Sequence, residues 1–382
     1  MEIIIEPVNN KQRWTDFLSI PNIIYREDAD YCLEIKSETQ TELSHKNPVA
    51  TQCTVQSLVA YKNGNPCARC VCIINPSLNK KMGKSIGLIG YLEFVEDEAV
   101  LNSLLMNCEA YFSKKDCSEI WAGVRFSLNY PVGIQTSGFD KQHTFLMNKQ
   151  PGYYAELLSK NGFHSEKQLN AYCVDLNEHY QVPPILVNDA NSALDSGYRV
   201  RLMKKSDIEP CLHHYNERWQ SNFAHTELSS KELHHLIRNM KLYLDTRFCF
   251  VVEKNNQLCG YLFTFPDFNQ TLKQWQGRTS LIKLLGFLFE YKLKRKVHGL
   301  KTAIIGVDSE HTGKKLSSLM NKALLESAIK SRCRYIERSW ILEDNYASIK
   351  QAQRMGGGLY KTYSLFSRPI ANSNMQDLDE AV

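Results

Sequence analysis

The stretch VDSEHTGKK, residues 307–315, sets a single glycine among hydroxyl, acidic and basic side chains. An apolar run precedes it and a helix-like run follows. Such a loop offers the unpaired N–H groups and positive dipole end of the coming helix, a cradle for phosphate. Lys314 and Lys315 add charge. Downstream lie side chains that could move a proton: Glu337 inside a strand-like run, Glu343 and Asp344 at its end, then Tyr360 and Tyr363. Each also has a purely structural reading. Glu337 could be an acid satisfied by Arg338 or Lys301, Glu343 and Asp344 could cap a helix near Asn345, and the tyrosines could be aromatics on a strand face. Cys67, Cys70 and Cys72 show a superficial metal or redox spacing. Strand alternation separates Cys67 from the other two, and no second CxxC completes a zinc site. No metal is expected, and the twelve cysteines read as buried, reduced thiols.

The elements that would position these residues occur twice. SLVAYKNGNPCARCVCIINPSLN, from Ser57, and CFVVEKNNQLCGYLFTFPDFN, from Cys249, both read as two strands joined by a Lys-Asn turn, with Cys67 matching Cys259. MEIIIEPV and YRVRLM are alternating strands that each precede an amphipathic helix, the second opened by Ser206 and Glu209 as a capping box. Near each copy's end a helix stops at glycine, Gly162 or Gly356, and a strand follows. Each copy therefore reads strand, two helices, hairpin, strand, helix, strand, helix, strand. That is a mixed α/β sheet with helices on both faces, duplicated in tandem. The expected boundaries are 1–180, a proline-rich linker at 181–197, 198–370, and a disordered tail at 371–382.

Within that order of elements, residues 307–320 resemble motif A of the GNAT acetyltransferase superfamily, whose pyrophosphate loop reads roughly Q/R-x-x-G-x-G/A. Gly313 and Lys314 match its central Gly-Lys; Thr312, Lys315 and Ser317 replace the usual arginine and two glycines. SWILEDNYASIKQAQRMGGG, from Ser339, resembles motif B through Asn345 and Gly356. Gly357 stands in for phenylalanine, and Ala352 for the tyrosine that protonates the departing thiolate in many members. The resemblance implies an acyl-CoA co-substrate bound by Ile305, Val307, Thr312, Gly313, Lys314, Lys315, Leu316 and Asn345. Its thioester would lie between strands 301–307 and 335–342, with N–H groups near Ile305 and Val307 on the carbonyl oxygen. An amine would attack directly, with Glu337, Glu343 or Tyr360 handling protons. In the first copy, Glu96, Asp97 and Glu98 occupy the equivalent helix start and would repel a diphosphate, so that copy is expected to keep the fold without the cofactor site. GYLEFVED, GVRFSLN, YYAELLSKNGF and SWILEDN together resemble a bacterial family of two-copy GNAT-like N-acyltransferases and suggest kinship with bacterial ceramide synthases.

Three functions fit this reading: an N-acyltransferase using acyl-CoA, a sphingoid or lipid-amine N-acyltransferase, or a non-catalytic GNAT-like binding protein. The lipid version would take a long acyl chain from CoA or from an acyl carrier protein. The replacements at Thr312, Lys315 and Ala352 support the non-catalytic version. The long stretch 123–154 is rich in aromatics, and Phe139, Tyr153 and Tyr154 are candidates to line an acceptor pocket or to pack one copy on the other.

Bulk properties exclude other classes. At 43% hydrophobic and 23% charged, the 382 residues can build a sizeable core of two domains. A net charge of +5 is too small for a typical nucleic-acid binder. MEIIIEPV has no basic region of a secretory leader, so a cytoplasmic location is expected. LIKLLGFLFEY, from Leu281, is interrupted by Lys283 and Glu290 and is too short for a membrane span. With Lys292, Lys294, Arg295 and Lys296 beyond it, this segment reads as a core helix or as an amphipathic face for peripheral contact with an anionic inner-membrane surface.

Overall fold

The computed structural model describes residues 2–220, 222–292 and 297–370. Lys294, Arg295, Lys296 and the tail from residue 371 lie outside the described residues, as does the side chain of Lys292. The first half runs β1 (Ile3–Pro7), α1 (Lys11–Ile24), α2 (Lys36–Glu42), β2 (Thr54–Lys62), β3 (Asn65–Ile74), α3 (Pro76–Met82), β4 (Ile86–Phe94), α4 (Glu98–Ser113), β5 (Glu119–Ala122), β6 (Ile134–Ser137), α5 (Tyr153–Lys160) and β7 (His164–Asp175). After α6 (Pro184–Asp195) the second half runs β8 (Arg199–Leu202), α7 (Ile208–Arg218), α8 (Ser230–Tyr243), β9 (Phe250–Lys254), β10 (Gln257–Pro266), α9 (Asn269–Leu272), α10 (Leu281–Lys292), β11 (Gly299–Val307), α11 (Leu316–Lys330), β12 (Tyr335–Leu342), α12 (Tyr346–Arg354) and β13 (Gly358–Pro369).

Both anticipated hairpins form. Lys62 pairs with Asn65 and Lys254 with Gln257, so two residues make each turn. All four turn residues, Asn63, Gly64, Asn255 and Asn256, take positive φ, which asparagine and glycine tolerate.

The strands join into one mixed sheet in the order β1-β2-β3-β4-β5-β13-β7-β12-β11-β10-β9-β8, with β6 beside β13. The centre holds an exchange. The last strand of the second half, β13, lies beside β5 of the first, and β7 of the first lies beside β12 of the second. β7 and β13 pair with each other between them. Each half therefore completes its sheet with a strand borrowed from the other.

Helices cover both faces. In the first half, Leu101, Leu104, Leu105 and Cys108 of α4 pack on one face and Phe17 and Leu18 of α1 belong to the cluster on the other. In the second, α11 with α6, and α7 with α8, play these parts. The expected linker at 181–197 is corrected here: most of it is the helix α6. Pro184 suits the first turn of a helix, and Leu186, Ala190 and Ala193 form a buried stripe against α11.

Candidate functional site

Two forks interrupt the sheet at matching places. β11 and β12 pair in parallel from Gly299↔Tyr335 to Thr302↔Arg338 and then part. A bulge sits there, since Phe263 of β10 faces Ile304 while Thr264 faces Thr302, leaving Ala303 unmatched. β12 pairs with β7 along its other edge, and among the described residues the β12-facing edge of residues 303–307 has no strand partner. β4 and β5 repeat the pattern: their pairing ends at Ile89↔Ala122, beside an irregularity between Arg69 and Val71 of β3. Bulges bend a strand out of register and so open such a cleft.

The loop from β11 to α11 differs from its counterpart in the first half. Gly313 has φ +79°, and a Cβ there would meet no atom within 4 Å, so the loop offers open space. Lys315, at φ 65°, precedes α11 as its cap residue and makes no side-chain cap, so among the described residues the first-turn N–H groups have no side-chain acceptor. Lys314 and Lys315 are exposed beside this end. One acid also approaches: Asp189 of α6 lies 3.4 Å from Lys315 and 3.0 Å from Arg354, and accepts from the Ser318 hydroxyl. In the first half, Asp97 itself accepts from the N–H groups of Ala99 and Val100 and pairs with Lys62. The anion position of α4 is thus filled by its own carboxylate. Of the two helix starts, that of α11 fits a diphosphate.

Just below the β11–β12 fork lies a buried ionic cluster. Glu337 is 0% exposed and stands in register with Lys301 across β11 and β12. Its carboxylate lies 3.0 Å from the Lys361 ammonium of β13 and accepts from the hydroxyls of Thr144, Ser339 and Tyr360. The Lys301 ammonium donates to the Ser339 hydroxyl at 2.7 Å and to the Ser339 carbonyl. Burial works against the Glu337 charge, but Lys361 and Lys301 together with the Ser339 and Thr144 hydroxyls hold the carboxyl below its usual range. Burial pushes Lys301 down to about 8, against the pull of Glu337. Asp267 braces the neighbouring loop by accepting from the Tyr335 phenol and from the backbone N–H of Phe145, and burial raises its carboxyl to about 6. Tyr360 is the half-buried member, so it connects the carboxylate to the surface. The arrangement can relay a proton through the Tyr360 phenol to the Glu337 carboxylate, which the proton neutralises.

Of the candidates from the sequence, Glu337 and Tyr360 are brought together, and Ile305, Val307 and residues 312–316 form one continuous strand, loop and helix start. Leu316 contributes only its backbone, because its side chain is 2% exposed in the apolar core. Glu343 is not in the cluster: it accepts from the Gln168 N–H at 3.2 Å, beside the Lys167–Asp344 ion pair. Asn345 caps α12 by accepting from the Ser348 N–H. Tyr363 is fully buried, and burial raises its phenol. Phe139 packs against Gly152. Tyr153 and Tyr154 bond in the first half: Tyr153 donates to the Phe94 carbonyl, and Tyr154 donates to Glu93. The 123–154 stretch does reach the cluster, but through Thr144. Sequence reasoning missed Thr144, Ser339 and Lys361. A lysine between Tyr360 and Thr362 in a strand of a two-faced sheet was the available signal for Lys361, since such a cation demands a buried acid.

The first half has its own buried network beside its fork. Glu34 joins Arg69 at 2.7 Å and Arg125 at 2.6 Å, and the two guanidiniums hold it down to about 2 despite burial. Glu93 instead accepts from Tyr25 and Tyr154, and burial raises it to about 7. The pairing seen in the sequence between Cys70 and Cys72 extends to Cys108 of α4. The three buried thiols lie within 4.8 Å of one another.

Residues 208–356 match the model of the acetyltransferase (GNAT) family. Two relatives align along nearly the whole chain. A bacterial ceramide synthase of Caulobacter vibrioides (strain NA1000 / CB15N) is 25% identical over 97% of this chain and 98% of its own. Protein YghO of Escherichia coli (strain K12) is 23% identical over 94% of each. A tandem GNAT protein from the clavulanic acid biosynthesis pathway superposes with a TM-score of 0.59 at 13% identity, over 97% of this chain and all of the other, a likeness of fold.

Proposed function

We propose that this chain, an enzyme of the GNAT N-acyltransferase kind built as a tandem GNAT fold, transfers an acyl group from acyl-CoA to an amine in its second half. The observation that carries the reading is the conjunction of an open glycine loop, an uncapped helix start and a strand fork on one β11–α11 unit. Residues 312–315 and the first turn of α11 would hold the diphosphate. The free edge of β11 near Ile305 and Val307 would direct N–H groups at the carbonyl oxygen. When bound, the thioester supplies the electrophilic carbonyl carbon. The amine nitrogen forms the new C–N bond as the C–S bond breaks, and its proton passes through the Tyr360 phenol to Glu337. The thiolate leaves and is reprotonated. Ala352 stands where the family's thiolate acid is common, so Tyr360 is the available group for that return as well.

The whole-length similarity to a protein named bacterial ceramide synthase favours a long acyl chain and a long-chain amine. The test is thiol release from acetyl-CoA and palmitoyl-CoA with sphinganine or a short alkylamine as acceptor. Amide formation with palmitoyl-CoA and sphinganine supports the lipid reading. Turnover of acetyl-CoA alone restricts it to small-chain transfer. Release in neither case contradicts acyl-CoA chemistry and leaves a carrier-protein donor or a binding role.

A further inference from the structure

Helix α10 turns an apolar face to solvent. Ile282 is 82% exposed, Leu285 59% and Phe289 48%, and Gly286 lies among them. The spacing 282, 285, 286, 289 is one stripe of an α-helix. Among the described residues no other helix exposes three large apolar side chains. Lys283 does not interrupt the stripe, because its ammonium donates to the carbonyls of Trp275 and Arg278 in the preceding loop. The opposite flank of α10 is seated: Phe287 and Tyr291 pack on Phe268, at ring separations of 5.2 Å each. Phe268 in turn packs on Phe145 at 5.3 Å, next to Thr144 and its bond to Glu337. The exposed stripe is therefore separated from the ionic cluster by a short run of aromatic contacts.

We propose that α10 seats the protein on an anionic lipid bilayer. Ile282, Leu285 and Phe289 would enter the boundary between headgroups and acyl chains, so that the fork opens near the surface that holds lipid substrates. Charge favours this occupant over a neutral apolar partner. The sequence at the end of the helix, 292–296, reads KLKRK, and the chain carries a net +5. An apolar outer face followed in the sequence by basic residues matches an interfacial anchor, whereas no helix of the described residues is long and apolar enough to span a membrane.

The test is flotation of the full chain with vesicles of phosphatidylcholine alone and of phosphatidylcholine mixed with phosphatidylglycerol. The wild type is expected to float with the mixed vesicles, less so in high salt. Ile282→Glu/Leu285→Glu/Phe289→Glu should weaken flotation at least about tenfold with an unchanged thermal melt. If that variant melts early, Leu285→Glu alone takes its place. A wild type that does not float, or a folded variant that floats equally well, overturns the proposal. So does a wild-type dimer in sedimentation that the variant dissolves, since a second copy would then cover the face. None of these readouts depends on acyl transfer, so the docking and the activity can fail separately.

Discussion

Glu337 keeps its charge inside the sheet because ammonium groups and hydroxyls face it. Removing one partner of such a pair leaves an uncompensated buried charge, so Lys361→Met should cost about 3–5 kcal/mol in chemical denaturation. Glu337→Gln keeps the shape and removes the proton acceptor. It should lower kcat by roughly 100-fold or more while leaving CoA affinity unchanged; equal turnover would remove Glu337 from the proton path. Glu93 gives a test by pH. Its folded value of about 7 lies above the usual carboxyl value, so its contribution is present below pH ~4.5 and is lost as pH rises through 7. Glu93→Gln should therefore flatten the fall in unfolding free energy between pH 5 and 8, by up to roughly 3 kcal/mol, as read by chemical denaturation at each pH. Glu34 acts oppositely, its contribution being lost only as pH falls towards 2. At this scale the sequence revealed Glu337 and Tyr360, which are a strand acid and a nearby phenol. It concealed Thr144, because its approach depends on a loop that lies far away along the chain, whereas Lys361 follows Tyr360 on β13 and was overlooked.

The elements explain why one half would bind a cofactor and the other not. In α4 the cap Asp97 occupies the first-turn N–H groups; in α11 no side chain among the described residues does. This contrast was legible in the acids at residues 96–98 and the glycine at 313. The role of α6 was not, because a stretch rich in proline and turn formers reads as a connection until Pro184 is placed at a helix start. α6 also carries Asp189, which holds Lys315 and opposes an incoming diphosphate. Asp189→Asn should tighten CoA binding roughly fivefold, the effect of losing a partly exposed charge pair of about 1 kcal/mol. Weaker binding in that variant would mean that Asp189 orders the loop instead.

For the whole molecule, the repeat, the mixed sheet and the helices on both faces could be read from hairpin, cap and periodicity. The exchange of β7 and β13 could not. Each copy lists its elements in the same order whichever neighbour its last strand takes, and register between distant strands leaves no local mark. The exchange predicts that a chain ending at residue 357 loses one of the two partners of β5 and one of the two partners of β7, so neither half should melt cooperatively in calorimetry. An independently melting first half would contradict it. It also brings Lys361 of β13 and Thr144 of the first half to Glu337 of β12, so the candidate catalytic cluster belongs to neither copy alone. The most direct measurement of the account as a whole is calorimetric titration of CoA and palmitoyl-CoA into wild type, Gly313→Glu and Gly313→Lys. Both substitutions impose the same backbone strain at φ +79°, but only one adds a negative charge. Wild type should bind at the order of micromolar, with binding abolished by glutamate and retained at least in part by lysine. No binding by wild type, or equal binding by the glutamate variant, would contradict a cofactor site at the start of α11.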